Sequence, residues 1–205
     1  MVCMPPFIGS RRLCRQLRLA SPAAHWCAIA LAALLLCNSP AAAQKKSSTP
    51  DVEAAYLLNF GKFMRHSDPQ LHHSTFDICI LGRDTLGREI DDIASKETID
   101  HLPVRVPRIA DPASANSCEI VFISIYEGEH VRKDIAILSQ TGVLTVSDAP
   151  DFLQQGGMIQ FMIVASRVRF AINLTALDQS HLALSSELLK LAVSVTGKSP
   201  PEERP

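Results

Sequence analysis

The sequence lacks the short motifs that mark familiar chemistry. No G-x-S-x-G elbow, P-loop or H-E-x-x-H pair occurs in its 205 residues, which removes the usual hydrolase, nucleotide-triphosphatase and zinc-protease signatures. Gly82 and Gly87 flank Arg83 and Asp84, but the middle glycine of G-x-G-x-x-G is missing, so a dinucleotide site is not indicated. Carboxylates such as Asp84, Asp91 and Asp92 are scattered, and Asp91-Asp92 reads as a solvated helix face. No enzyme and no cofactor is expected. Excess positive charge is absent too: 20 basic residues stand against 21 acidic ones, whereas nucleic-acid binders carry a basic stripe. Long apolar runs are also missing. Trp26 to Cys37 spans twelve residues, well short of the about 20 that a membrane span needs.

That short run has a different meaning. Arg11, Arg12, Arg15 and Arg18 precede it, and Ala41-Ala42-Ala43 follows. This is the order of a secretory signal, with cleavage expected between Ala43 and Gln44. A retained N-terminal anchor is the alternative. Leu36 before Cys37 does not suit a lipoprotein signal. The expected organisation is a signal peptide over 1–43, a linker over 44–48, one α/β domain over 49–198 and a disordered tail over 199–205. Removing the first 43 residues leaves 162, with four basic residues gone and a balance of −5.

The cut also changes the cysteines. Cys3, Cys14, Cys27 and Cys37 lie before it; only Cys79 and Cys118 lie after. Two cysteines in an oxidising compartment most simply form one disulfide. It would close a 39-residue loop and stabilise the fold by about 4 kcal/mol on chain-entropy grounds. Two free buried thiols are the alternative. A metal site is not expected, because the paired spacing of zinc ligands is absent. His72-His73 lies in a polar loop after Asp68-Pro69 and lacks the i, i+4 geometry of a helical ligand pair.

The chain between these landmarks alternates. Thr49, Pro50, Asp51 and Glu53 open a first helix, expected to Met64, with Thr49 as N-cap and Val52, Ala55, Tyr56, Asn59, Phe60 and Phe63 as its apolar stripe. Thr75 to Gly82 reads as a buried strand. A helix from Asp84 or Thr85 to Ile93 follows, then an edge strand over Leu102 to Ile109, demoted by Pro103 and Pro107. Cys118 to Ser124 is a central strand, and Glu127 to Gln140 a helix. Val143 to Asp148 is a strand, and Ala149 to Gln155 a short helix. Met158 to Val164 and Arg167 to Asn173, joined by Ala165-Ser166, form an antiparallel hairpin. A last helix opens at Ser185 or Ser186 and is expected to bury Leu184, Leu188, Leu191, Ala192 and Val195. The predicted fold is a three-layer α/β sandwich, a mostly parallel sheet flanked by helices with a C-terminal antiparallel hairpin. Right-handed crossovers favour strand order 2-1-3-4, which sets the Cys79 and Cys118 strands side by side.

Several blocks together resemble the YfiR family of small periplasmic proteins. They are Ala54-Ala55-Tyr56-Leu57-Leu58-Asn59-Phe60, Ile78-Cys79-Ile80-Leu81-Gly82, Cys118-Glu119-Ile120-Val121-Phe122-Ile123 and Val143-Leu144-Thr145-Val146-Ser147-Asp148 with Gly156-Gly157. Val168 to Asn173 and Leu184 to Ala192 complete the series. The resemblance implies a regulator rather than a catalyst. It implies binding to the periplasmic part of an inner-membrane diguanylate cyclase, which is held inactive. It further implies a peptidoglycan-associated outer-membrane lipoprotein as a second partner, a homodimer, and a family disulfide at the cysteine pair. The family's Trp-Pro after the opening helix is replaced here by Met64 to Pro69, without the tryptophan.

A small-molecule sensor or carrier is the second reading. Its pocket would lie at the carboxyl ends of the strands, at Gly82, Arg83 and Asp84, where a strand-to-helix turn can offer amides to an anion. A hydrolase with an unrecognised site is the third.

Overall fold

The computed structural model describes residues 48–66 and 74–197. The expected signal peptide over 1–43 with its expected cleavage between Ala43 and Gln44, residues 44–47 of the expected linker, His72-His73 and the expected tail over 199–205 all lie outside the described residues.

Helix α1 (Thr49–Phe63) is capped by Ser48, not by Thr49. The Ser48 hydroxyl accepts from the Asp51 amide at 3.3 Å, and the Asp51 carboxylate accepts from the Ser48 amide at 2.8 Å. The reciprocal pair satisfies two otherwise orphaned donors, and that is why the cap moves one residue toward the N-terminus. Ser48 therefore belongs to the domain and not to the linker. The helix's apolar period is as expected but its phase is not. Ala54, Leu57, Leu58 and Phe60 are buried while Ala55 and Asn59 are exposed. Gly61 completes that face, packed so closely on Ile99 and Phe76 that a side chain there would meet both at under 3 Å.

Strand β1 (Met64–His66) follows directly. Strand β2 (Phe76–Leu81) is buried along its whole length. Helix α2 (Arg88–Ala94) starts later than its sequence suggests. The Asp84 carboxylate takes the amides of Leu86 and Gly87, and Gly87 sits at φ +62°, so the chain turns before it coils. The expected second strand is interrupted at Pro107, which has no amide to give to a ladder. It becomes β4 (Leu102–Arg105) and β5 (Arg108–Ile109), and a short β3 (Thr98–Ile99) pairs antiparallel outside β4.

A 3-10 turn (Pro112–Ser117) leads to β6 (Ile120–Ile123). The next helix opens as a second 3-10 turn (Ile125–His130) and becomes α3 (Val131–Leu138) only after Gly128, whose φ of +49° breaks the coil. Strand β7 (Leu144–Ser147) is followed by hydrogen-bonded turns rather than the expected helix over Ala149 to Gln155. Asp151 there adopts φ +56°, a conformation no helix contains. Strands β8 (Ile159–Val164) and β9 (Arg167–Asn173) form the hairpin, with Ala165 and Ser166 both at positive φ in the turn.

Two elements between the hairpin and the last helix are new relative to the sequence reading. Helix α4 (Leu174–Gln179) is capped by the Asn173 side chain, and β10 (Leu182–Leu184) pairs with β1. The last helix is only α5 (Ser186–Leu191). The β-branched run beyond it prefers extended backbone and forms β11 (Ser194–Thr196), parallel to β9. Hence Leu191 and Val195 are 63% and 41% exposed, and Leu188 is the fully buried anchor of that helix.

The main sheet runs β11-β9-β8-β7-β6-β2-β4-β3, with β5 also on β2. From β4 to β8 the pairs are parallel. Side chains alternate across it. Ile78 and Ile80 of β2 join α1 and α2 in the larger core, with Ile120, Phe122, Leu144, Val146, Phe161 and Phe170. Cys79 and Leu81 point to the smaller one, with Val121, Ile123, α3 and Phe152. The result is a three-layer α/β sandwich. Cys79 and Cys118 are disulfide-bonded with Cα atoms 5.9 Å apart.

Candidate functional site

Strand β2 is followed in space by β4 on one side and β6 on the other, so the chain reverses its direction of winding between β2 and β6. In doubly wound sheets the crevice beyond the strand ends at such a point is where ligands bind. Gly82, Arg83 and Asp84 leave β2 there, and Ser124 to Glu127 leave β6.

The chain's own side chains fill that crevice. Glu127 lies over Gly82, so closely that a Cβ at Gly82 would collide with its carboxylate. Gly82 can accept this because it has no side chain and sits at φ +76°. The Arg83 amide donates to Glu127 Oε1 at 3.3 Å, and the Arg83 guanidinium lies 4.3 Å from the centre of the Tyr126 ring. The carboxylate thus stands where a bound anion would stand. Asp84 is also engaged. It accepts from Leu86 and Gly87 amides and from two nitrogens of Arg108, at 2.8 to 3.0 Å. Burial pushes the Asp84 carboxyl up, but the hydrogen bonds from Arg108, Gly87 and Leu86 outweigh it and hold it below the usual carboxylate range. Arg108 also bonds Asp91, so Asp91 clamps β5 to α2 while its side chain stays 46% exposed beside the exposed Asp92.

Beside the crevice, at the end of β7, the charge of Asp148 reaches Glu53 of α1. Glu53 on α1 is 5% exposed. Burial, and secondly the charge of Asp148, raise its pKa from 4.5 to about 7. Asp148 is pushed up by burial as well, although it accepts the Ile125 amide at 2.7 Å. Among the described residues no group of three or more His, Cys, Asp or Glu could hold a metal ion.

Exposed apolar side chains border the crevice and also stand away from it. Ile125 and Tyr126 edge the filled crevice at 42% and 61% exposure. Ile163 and Val164 stand at the end of the β8–β9 hairpin at 61% and 43%. An open groove of about 560 Å³ runs between the hairpin and the first turns of α1, lined by Val52, Tyr56, Ile163 and residues 166 to 169.

The structure therefore gathers Gly82, Arg83 and Asp84 at one turn, as their adjacency in sequence requires. It adds Glu127, Tyr126 and Arg108, which sequence reasoning did not attach to that turn. Glu127 was legible only as a helix-start acid, and nothing in its spacing points back across 44 residues. Glu53 likewise read as a favourable charge at a helix start, and its burial follows from the phase of α1.

Comparison with known proteins gives one family. The profile described as YfiR/HmsC-like matches residues 50–193. A search of curated proteins finds no match. Among solved structures, a conserved domain protein from Vibrio cholerae O1 biovar El Tor superposes with a TM-score of 0.52 at 11% identity, over 73% of this chain and 60% of that one. The ABC domain in complex with L-Trp from Streptococcus pneumoniae gives a TM-score of 0.41 at 11% identity, over 59% of this chain and 55% of that one. The first likeness supports the α/β fold alone.

Proposed function

The chain belongs to the YfiR/HmsC-like family, and from that premise we propose that it is a periplasmic regulator that holds an inner-membrane diguanylate cyclase inactive by protein–protein contact. The family match over residues 50–193 carries the reading. The mechanism is a population shift: the regulator binds the silent state of the cyclase's periplasmic part more tightly than the active state. A peptidoglycan-associated lipoprotein that sequesters the regulator would relieve the block, and the regulator works as a homodimer.

Three features of the molecule support this. The crevice where a doubly wound sheet binds ligands is occupied by the Glu127 carboxylate. Apolar side chains are exposed on the surface instead, at Ile163 and Val164. The disulfide between Cys79 and Cys118 suits an oxidising compartment. Among the described residues no helix is long and apolar enough to cross a membrane.

The test is genetic and quantitative. Deleting the gene is expected to raise cellular cyclic-di-GMP, and expression of the exported chain from a plasmid to restore it. An unchanged level on deletion would sink the repressor reading. The small-molecule reading makes a separate demand: a metabolite must raise the melting temperature, and Asp84→Ala must abolish the rise.

A further inference from the structure

The hairpin from Met158 to Asn173 contains Arg167 and Arg169 and no acidic residue. It is a cationic element on a domain whose expected exported form is net negative. The register places Arg167 directly across from Val164, and Arg169 across from Met162. These four share one face, because side chains alternate along a strand. Ile163 lies on the other face near the groove beside α1, opposite Val168. So the end of the hairpin presents apolar surface on both sides, with two guanidiniums among it.

Those guanidiniums differ from others in the chain. Arg105 is bonded to Asp77, and Arg108 to Asp84 and Asp91. Arg167 and Arg169 form no ion pair among the described residues, and the strand holds them at fixed spacing. An unpaired guanidinium beside apolar side chains is suited to a bidentate carboxylate. The adjoining groove, lined by Val52 and Tyr56 of α1 and by Ile163 and Val168 of the hairpin, opens beside the two arginines.

We infer that the end of the β8–β9 hairpin, at Ile163, Val164, Arg167 and Arg169, is the docking surface for an acidic amphipathic helix of the partner protein. The inference rests on the regulatory reading and names the surface that reading requires. Apolar side chains of the partner cover Ile163 and Val164, and its carboxylates meet the two arginines. A second copy packed hairpin to hairpin about a two-fold axis would bring the arginines of the two copies together, which like charges oppose. A flat lipid surface leaves the groove unfilled.

The test has two arms. In the first, a gene-deletion strain carries the Arg167→Glu/Arg169→Glu double variant, Ile163→Asp, or the control Arg88→Glu on α2. Raised cyclic-di-GMP is expected to persist with the first two and to fall to the wild-type level with the control. Full restoration by both hairpin variants overturns the surface. If deletion itself changes nothing, the repressor reading fails and the second arm decides the surface alone. There, fluorescence anisotropy follows a labelled synthetic Leu/Glu amphipathic helix added to the exported chain. The double variant is expected to bind it at least tenfold more weakly, and to prefer the Leu/Lys version of the peptide. Equal binding by both proteins overturns the proposal. So does binding to vesicles of mixed zwitterionic and anionic phospholipid without peptide binding, or a dimer that the double variant splits. Each variant's melting curve is compared with wild type, and the readings use those that melt with it.

Discussion

The two sides of the sheet are held by different means. On the α1 side the core is built from stacked aromatics. Phe60 lies against Tyr56, Phe161 and Phe170 with ring centres 5.0 to 5.9 Å apart. A 15-residue helix covers it. On the other side, the eight-residue α3, a 3-10 turn and Phe152 cover a smaller set of aliphatic side chains. Short elements bury less apolar area, and stabilisation follows area. The Cys79–Cys118 bond lies on that thinner side and ties β2 to the start of β6. The covalent link stands where packing is least able to hold two central strands in register.

The largest expected effect tests the packed side. Phe60 is fully buried. Phe60→Ala removes a ring held by three others and is expected to cost about 5 kcal/mol, the upper end for such truncations. Denaturant unfolding would read this as a lower midpoint at unchanged slope. Next is the bolted side. Cys79→Ser with Cys118→Ser opens a loop of 39 residues, which the chain-entropy argument values at about 4 kcal/mol. Its melting temperature should fall, and cyclic-di-GMP should rise with it if the fold is what represses the cyclase. A cysteine variant less stable than Phe60→Ala would reverse the ranking of the two sides.

Much of this was legible beforehand, and the failures have physical causes. The alternation of strands and helices gave the sheet, because strands buried on both faces leave unbroken apolar runs such as Ile78 to Leu81. The order of β4, β2, β6 and β7 followed from crossover handedness. Boundaries failed where one side chain competes with the backbone, as Asp84 does before α2 and Asp51 does at α1. The last helix failed because Val193 to Thr196 fits either a helix face or a strand, and only the free edge of β9 decides. The crevice was located by topology, but its occupation by Glu127 is a contact between residues far apart in sequence, and no local pattern carries it.

A third prediction sharpens the comparison at a charged position beneath α1. Glu53 has a folded pKa of about 7 against an ordinary 4.5. Its raised value means the fold prefers the protonated form. The stabilisation is therefore fully present below pH 4.5 and is lost as pH rises through about 7, by about 3 kcal/mol in all. Asp148, also pushed up, adds to the same slope. Glu53→Gln should flatten stability between those pH values and stabilise the domain at pH 8 by about 2 kcal/mol. Unfolding midpoints at pH 5 and pH 8 check it. A variant less stable than wild type at pH 8 would mean that Glu53 is charged and satisfied in the fold.

The smallest effect lies at the start of the same helix. Ser48→Ala removes the hydroxyl that accepts from the Asp51 amide and leaves that donor to water. Such caps contribute about 1 kcal/mol. The buried residues of α1 begin at Glu53, beyond the first turn, so the loss should stay local. Amide exchange of the first-turn residues should quicken about fivefold, the factor that about 1 kcal/mol implies. The amides of Leu57 to Phe60 should keep their protection, because aromatic packing and not the cap fixes them. Equal loosening along the whole helix would show that the cap, rather than the stack around Phe60, sets the stability of the packed side.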